Sequence, residues 1–332
     1  MKTGKFLSYS EAINQAISQT MSFDDNILIL GQLVDYKSGV FGTTSGLVEK
    51  FGTSRVRDFP VAESLMTSMA LGLATAKKRV VLVHHRLDFM FYSMDAIVNW
   101  ISLWKFKSGI KDQTKVPIVI RAVVGKGWGQ GPQHSKSVHS WFANLPGLRV
   151  ALPTNSFDAK GIFIESIFSN VPTIIIEHRS LFQSKSLVPN SMYKVNFGEA
   201  NIIKKGKDLT IVCIGFIVNE VIKASDILES EKNISVEIID VRTLNPIDHK
   251  TIGRSIKKTG KLLVVDSSWR VFGASSEIIT STIEKYWNLL KSKPERIAFP
   301  DSHTPMSSSM EEKYYPNHRS IINKVIKIIS KK

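Results

Sequence analysis

The chain has 332 residues, of which 43% are hydrophobic and 22% charged, a composition typical of a globular protein and not of a disordered or fibrous one. The formal net charge is +15, but the lysines are dispersed and no zinc-finger, RNP-like or helix-turn-helix signature accompanies them. We therefore expect no nucleic-acid partner, and the basic surface instead suits an acidic partner chain.

The sequence also predicts a cellular compartment. A single cysteine, Cys213, excludes a disulfide scaffold and is typical of a reducing compartment. No apolar run approaches the ~20 residues that span a bilayer, and the N-terminus MKTGKFLSYSEAINQ lacks the apolar core of a signal peptide. We expect a cytoplasmic protein with no membrane partner.

Apolar, β-branched runs alternate with helical patterns along the chain. Ser8 and Glu11 have the spacing of a capping box and predict the start of a first helix, and a second pattern follows Glu63. The runs that predict buried strands are NILILG, RVVLVHH, VPIVIRAVV, LRVALP, PTIIIEH, LTIVCIGF, SVEIIDVRTL and KLLVVDSS. This alternation predicts a largely parallel α/β architecture.

One polar stretch interrupts the pattern. Residues 183–198, QSKSLVPNSMYKVNFG, have no sustained periodicity and predict a linker. The linker divides the chain into a first domain over 1–182 and a second over 199–332.

Glu63 is the first residue with candidate chemistry. It lies in DFPVAES directly before a helical pattern, where a carboxylate is favoured by the helix N-terminus. Its neighbours Val61, Leu65 and Met66 are apolar, and a desolvated carboxylate is suited to exchanging a proton with a ligand nitrogen. Both interpretations, helix-terminus charge and catalytic acid, follow from the local sequence.

The segment GKGWGQGPQHS, which starts at Gly125, follows a predicted buried strand. Its glycines let the backbone approach a ligand closely, and loops after buried strands are where α/β proteins place their sites. His134 then becomes a candidate proton donor or acceptor, with a surface histidine in a tight loop as the alternative. The segment matches neither a P-loop nor a dinucleotide-binding fingerprint.

A third cluster, VHHRLDF, ends the strand that begins at Arg79. His84 and His85 are adjacent, so on a strand they point to opposite faces and form a poor metal chelate. We expect His84, His85 and Arg86 to face a substrate at the carboxyl end of that strand.

Taken together, these stretches resemble one family along nearly the whole chain. The chain resembles the β subunit of the thiamine-diphosphate-dependent E1 component of 2-oxo acid dehydrogenases, a group related to transketolase. The motifs that carry the resemblance occur in family order: GLVEKFGTSRVRDFPVAES, DFMFYSMDAIVNW, VPIVIR, GPQHS, WFANLPGLRVALPTNSFDAKG, IEHR, VRTLNPID and KTGKLLVVDSSW.

The resemblance implies a fold and a set of roles. It implies a parallel-sheet pyrimidine-binding domain, followed by a transketolase C-terminal-like α/β domain that dimerises and helps to dock an acyltransferase. The glutamate at Glu63 would hydrogen-bond N1′ of the cofactor and promote the imino tautomer that removes the thiazolium C2 proton. Phe89 would stack on the pyrimidine and Val61 would contact it. His134, preceded by Gln133, would handle protons or substrate charge in the substrate channel.

The resemblance also implies partners. Thiamine diphosphate would be shared with an α subunit that binds the diphosphate and Mg²⁺, with no Mg²⁺ site in this chain. The expected assembly is α2β2, acting on a 2-oxo acid and passing the acyl group to a lipoyl acyltransferase (E2). A structural monovalent ion is implied near Ser166, Ile167 and Ser169.

Some positions depart from the family pattern. Gln32 stands where many relatives carry an acid, VHHRLDF replaces a sequence close to EFMFFDF, and FSNVP replaces RDNNP. Arg86 and the histidine pair would supply positive charge for a larger or anionic substrate, which argues against pyruvate itself.

Two other functions stay open from the sequence. A subunit of a split transketolase or carboligase would use the same cofactor but transfer the intermediate to an aldehyde or sugar. A non-catalytic regulatory subunit is the second alternative, and the presence of Glu63, Phe89, Gln133 and His134 argues against it.

Overall fold

The computed structural model describes residues 4–109 and 115–330, which form two compact units. The N-terminal unit holds the chain up to Gly125 together with Trp141–Phe197. The C-terminal unit holds Lys126–Ser140 and the chain from Gly198 onward. No helix in the described ranges is long and apolar enough to cross a membrane.

The N-terminal unit is an α/β unit. Its strands are β1 (Gly4–Ser8), β2 (Ile27–Gly31), β3 (Val56–Asp58), β4 (Arg79–His84), β5 (Ile118–Val124), β6 (Arg149–Ala151), β7 (Thr173–His178) and β8 (Lys185–Pro189). Its helices are α1 (Tyr9–Phe23), the short turn α2 (Gly39–Gly42), α3 (Leu47–Phe51), α4 (Glu63–Thr75), α5 (Trp104–Lys107), α6 (His139–Ala143) and α7 (Ser156–Phe168). The first two residues of α6 are grouped with the C-terminal unit. A 3₁₀ helix spans Phe89–Ser93 and a π-helix spans Ala96–Ile101.

The main sheet of this unit is parallel. Six of its strands run in the order β6-β7-β5-β4-β2-β3, and each neighbouring pair is parallel. All seven residues of β5 are buried, as the continuous apolar run predicts for a strand covered on both faces. The predicted parallel architecture is confirmed here. Because carboxyl ends of parallel strands meet at one edge, side chains after β2, β3 and β4 share that edge.

The C-terminal unit is a second α/β unit. Its strands are β9 (Asn201–Lys204), β10 (Leu209–Ile214), β11 (Val236–Asp240), β12 (Thr243–Asn245), β13 (Leu262–Trp269) and β14 (Glu295–Phe299), and its helices are α8 (Val218–Lys232), α9 (His249–Thr259), α10 (Ala274–Tyr286), α11 (Ser308–Tyr314) and α12 (His318–Ile329). The sheet order is β14-β13-β10-β11-β9, parallel except for β9. Apolar side chains of the central strands, α8 and α12 form its core and enclose Cys213.

Two segments differ from their sequence-based description. Residues Lys185–Pro189 of the predicted linker form β8, which pairs antiparallel with β1. Main-chain pairing needs no apolar periodicity, so the sequence pattern did not reveal this strand. The glycine-rich segment Lys126–Ser140 groups with the C-terminal unit, although it directly follows β5.

Candidate functional site

Glu63 is the first residue of α4 and lies at the carboxyl edge of the parallel sheet. The residue is 8% exposed, and its Oε1 accepts a hydrogen bond of 3.1 Å from Nε2 of Gln32. Gln32 follows β2, whose neighbour β3 leads into α4, so the strand order brings the two side chains together. Oε2 accepts no hydrogen bond from the described residues. The carboxylate is thus oriented through one oxygen, and the other is available to a donor on another molecule.

Two apolar side chains are accessible, one just before α4 and one on the 3₁₀ helix that contacts α4. Val61, two residues before Glu63, is 83% exposed. Phe89 begins the 3₁₀ helix after β4 and is 38% exposed. Exposed apolar groups beside a half-satisfied buried carboxylate suit a flat ligand that carries a polar edge. These residues fit the aminopyrimidine half of thiamine diphosphate.

His84 does not face a substrate, which corrects the expectation from sequence. It is 1% exposed, and its Nε2 lies 3.1 Å from Oγ1 of Thr67 on α4. Because the Thr67 hydroxyl donates to Ser93, its oxygen accepts from Nε2–H of His84. Burial lowers the pKa of His84 to about 3, so the ring is neutral at physiological pH. Its role is to pack and hydrogen-bond beneath α4.

His85 and Arg86 lie against Phe41. The Phe41 ring centroid is 5.1 Å from that of His85 and 5.3 Å from Cζ of Arg86. Burial, with the charges of Arg86 and Arg121, lowers the pKa of His85 to about 4. With both pKa values lowered, His84 and His85 are neutral near pH 7, which leaves Arg86 as the cation of VHHRLDF.

The turn that presents Phe41 is held in an unusual conformation. Val40 and Phe41 have φ angles of 37° and 60°, which side-chain-bearing residues seldom adopt. Such strain costs roughly 1–3 kcal/mol per residue and persists only where surrounding structure fixes it. Here the contacts of Phe41 with His85, Arg86 and Phe182 provide that support.

A buried ion pair lies under the same edge. Arg121 on β5 donates from Nε and Nη2 to the two carboxylate oxygens of Glu177 on β7, at 2.7 and 2.8 Å. Both side chains are fully buried, and Nη1 of Arg121 has no hydrogen-bond partner in the described ranges. The sequence showed both residues within family motifs, but their pairing depends on the β5–β7 neighbourhood.

His134 belongs to the C-terminal unit. It closes the 3₁₀ turn Gly131–Gln133, and its Nδ1 lies 3.3 Å from the carbonyl oxygen of Gln130. Because a carbonyl oxygen only accepts, Nδ1 carries the proton and Nε2 is the basic nitrogen of the neutral ring. The His134 side chain is half-buried and Gln133 is exposed.

The backbone expected to hold a monovalent ion is bonded to an arginine. Nη1 of Arg79 donates to the carbonyl oxygens of Ile167 and Ser169, both at 3.0 Å, and the carbonyl of Ser166 accepts from the Ser169 amide at 3.2 Å. Arg149 adds a second guanidinium, 3.2 Å from the Ser169 hydroxyl. These residues do not fit a metal cation, because their oxygens are engaged and two positive groups flank them.

The site residues predicted from the sequence fall in both units. Glu63, Val61, Phe89, His85 and Arg86 belong to the N-terminal unit, whereas Gln133 and His134 belong to the C-terminal unit. Within the described ranges, no group of three or more His, Cys, Asp or Glu could hold a metal ion. The sequence does not predict the Gln32–Glu63 contact, because that contact depends on β2 and β3 being neighbours in the sheet.

Two family models match the chain. The transketolase pyrimidine-binding domain matches residues 5–185 and the transketolase C-terminal domain matches residues 198–321. Among solved structures, a chain described as a split gene transketolase, inactive beta4 tetramer, has a TM-score of 0.80 at 20% identity. The match covers 98% of this chain and 99% of that chain, and at this identity it supports the fold.

Curated relatives are similar over almost their full length. The β subunit of pyruvate dehydrogenase E1 from Acholeplasma laidlawii is 36% identical over 94% of both chains. The corresponding subunit from Staphylococcus aureus (strain N315) is 36% identical over 95% of this chain and 96% of that protein. The β subunit of acetoin:2,6-dichlorophenolindophenol oxidoreductase from Cupriavidus necator is 35% identical over 95% of both chains. This chain belongs to the transketolase-like family of E1 β subunits of heteromeric thiamine-diphosphate-dependent dehydrogenases.

Proposed function

We propose that this chain is the β subunit of a 2-oxo acid dehydrogenase E1 enzyme that is active only with an α subunit. The α subunit would bind the diphosphate and Mg²⁺, and this chain would bind the pyrimidine ring. An α2β2 assembly that passes its acyl group to a lipoyl acyltransferase follows from the same proposal. Thiamine diphosphate, when bound, supplies the electron sink for cleavage next to a carbonyl carbon.

The observation that carries this proposal is the geometry of Glu63. Gln32 fixes one carboxylate oxygen, and Oε2 has no donor among the described residues. A protonated ring nitrogen can bind to Oε2, and the carboxylate can hold or return that proton. Val61 and Phe89 would contact the faces of the ring through their exposed apolar surfaces.

His134 would serve the substrate side of the reaction. Its Nδ1 proton is directed to the Gln130 carbonyl, so Nε2 of the neutral ring can accept a proton and, once protonated, donate one. This places proton handling on a segment different from that of Glu63. Arg86, stacked on Phe41, would offer a cation to an anionic substrate group.

A second substrate class is favoured by one relative. The Cupriavidus protein is named for acetoin, a hydroxyketone, and it is nearly as similar as the pyruvate dehydrogenase subunits. Both classes place the bond to be cleaved beside a carbonyl. The alternative of a split transketolase or carboligase differs only in the acceptor.

Reconstitution with a candidate α subunit tests the proposal. The complex would be assayed for reduction of an artificial dye with pyruvate, larger 2-oxo acids, acetoin and ketose phosphates in turn. We expect dye reduction with one 2-oxo acid or with acetoin. Turnover of ketose phosphates alone would assign the chain to the transketolase alternative, and inactivity with every substrate would support a regulatory subunit.

The role of Glu63 is tested in the same complex. Glu63→Gln keeps the shape but cannot exchange the proton, so we expect loss of cofactor C2–H exchange and at least a ~10²-fold loss of turnover. Glu49→Gln on α3 is the matched control, because Glu49 is an exposed acid of the same unit. Wild-type C2–H exchange in the Glu63 variant would refute its role.

A further inference from the structure

The segment that carries His134 is anchored at its start by the C-terminal unit. The Gly127 amide donates to Oε1 of Glu311 on α11 at 2.7 Å. The ammonium group of Lys126 lies 4.7 Å from the ring centroid of Tyr315 and 5.4 Å from that of Phe216. Burial lowers the pKa of Lys126, which indicates that this cation is largely removed from water. The glycine-rich stretch therefore begins at a fixed point.

The end of the segment is anchored by a buried pair. Nε2 of His139 lies 2.9 Å from Oδ1 of Asp266 on β13, and both side chains are essentially fully buried. The other oxygen of Asp266 accepts from the Ser275 amide in the first turn of α10, at 2.8 Å. The Ser268 hydroxyl donates to the Ser137 carbonyl at 2.5 Å. Thus β13 and α10 together fix the chain five residues after His134.

Removal of His139 would leave Oδ1 of Asp266 without this donor in a place that water does not reach. Nδ1 of His139 has no partner in the described ranges, so Nε2–Asp266 is the polar contact of this ring. Between the two anchors the segment contains three glycines, all of them with positive φ. Because glycine adopts many backbone conformations, the anchored ends help to fix the one observed.

We propose that His139 is a positioning residue that, through Asp266, holds the segment Lys126–Ser140 in the conformation in which His134 serves the reaction. The inference rests on the proposed function for its kinetic consequence only. Its structural consequence, a segment ordered by the His139–Asp266 pair, is independent of what the enzyme catalyses.

Three variants of the full chain, each assembled with the α subunit, test this inference. His139→Leu removes the donor, and His139→Gln restores an N–H donor near the same place. His318→Leu is the matched control, because Nδ1 of His318 lies 2.8 Å from Glu220 in the same unit but on α12. Hydrogen exchange of backbone amides, cofactor C2–H exchange and full turnover would be measured on each.

We expect His139→Leu to lose at least tenfold of the amide protection within residues 127–138, with α8 and α12 unchanged. Turnover should fall at least tenfold while C2–H exchange, which depends on Glu63, is retained. His139→Gln should recover part of both losses, and His318→Leu should show neither. Unchanged protection of the segment in His139→Leu, or equal loss across the whole C-terminal unit, would overturn the inference. A wild-type complex that is ordered in the segment but lacks turnover would instead contradict the proposed function.

Discussion

His84 shows how a single buried side chain sets a pH dependence. Its pKa is lowered from 6.5 to about 3 by burial, so the folded state keeps the ring neutral while the unfolded state protonates it. Between these two values the unfolded state binds more protons, and stability therefore falls as the pH falls below 6.5.

We expect His84→Gln to remove about half of the pH dependence that buried histidines give the N-terminal unit, because the pKa of His85 is also lowered, to about 4. Linkage gives a loss of about 2 kcal/mol from His84 between pH 7 and pH 5. Glutamine keeps a donor for Thr67 but does not titrate there. Denaturant unfolding of both proteins at the two pH values measures the difference. An equal pH dependence in variant and wild type would contradict the assignment to His84, and His303→Gln, at an exposed histidine of the C-terminal unit, serves as the control.

Arg79 donates hydrogen bonds to backbone oxygens of the segment in which the family resemblance implies a monovalent ion. The guanidinium donates to the carbonyl oxygens of Ile167 and Ser169 at the end of α7, and Oδ2 of Asp24 lies 3.7 Å from its Nε. Because this charge is covalently attached, we expect equal melting temperatures in potassium, sodium and choline chloride at matched ionic strength.

Arg79→Met should lower the unfolding free energy by about 2 kcal/mol, since it leaves those carbonyl groups without a charged donor. Arg57→Met should change it little, because Arg57 is an exposed arginine on β3 of the same sheet. Thermal unfolding of the three proteins in the three salts makes both comparisons. A wild-type melting temperature several degrees higher in potassium than in choline would show that an ion binds.

At the scale of elements, the sequence predicts the buried strands but not the short or partly exposed ones. The eight predicted buried runs all contain strands, because a continuous β-branched run has few alternatives in a parallel sheet. The short or partly exposed strands β1, β3, β8, β9, β12 and β14 escaped, since side chains at a sheet edge carry no clear periodicity. The Gln32–Glu63 contact also depends on strand order, because it forms only where β2 and β3 are neighbours. The sequence pattern alone therefore does not predict this contact.

The capping box of α1 is a local signal whose energy can be measured. The Ser8 hydroxyl accepts from the Glu11 amide at 3.2 Å, and the Glu11 carboxylate accepts from the Ser8 amide at 2.7 Å. Ser8→Ala should cost about 1 kcal/mol, because an amide of the first turn loses its acceptor. Ser22→Ala on the exposed face of the same helix is the control. Equal unfolding free energies for the two variants would show that the cap contributes nothing.

At the scale of the whole molecule, the chain aligns with its relatives over almost their full length. Two consecutive family models account for residues 5–185 and 198–321, and relatives named as β subunits align over 94–96% of their length. The segment that carries His134 follows β5 of the N-terminal unit, and its His139 is hydrogen-bonded to Asp266 within the C-terminal unit. By our proposal, the reaction also requires a second chain.

The division of the cofactor between two chains leads to a prediction for the isolated chain. If this chain binds only the pyrimidine ring, thiamine and thiamine diphosphate should bind to it equally weakly, and Mg²⁺ should have no effect. In the complex with the α subunit, the diphosphate and Mg²⁺ add charge–charge attraction. We expect at least ~100-fold tighter binding of thiamine diphosphate there, which corresponds to about 2.7 kcal/mol. Calorimetry of both ligands, with and without Mg²⁺, measures each case. Micromolar, Mg²⁺-dependent binding by the isolated chain would show that it anchors the diphosphate itself, and the shared site would have to be abandoned.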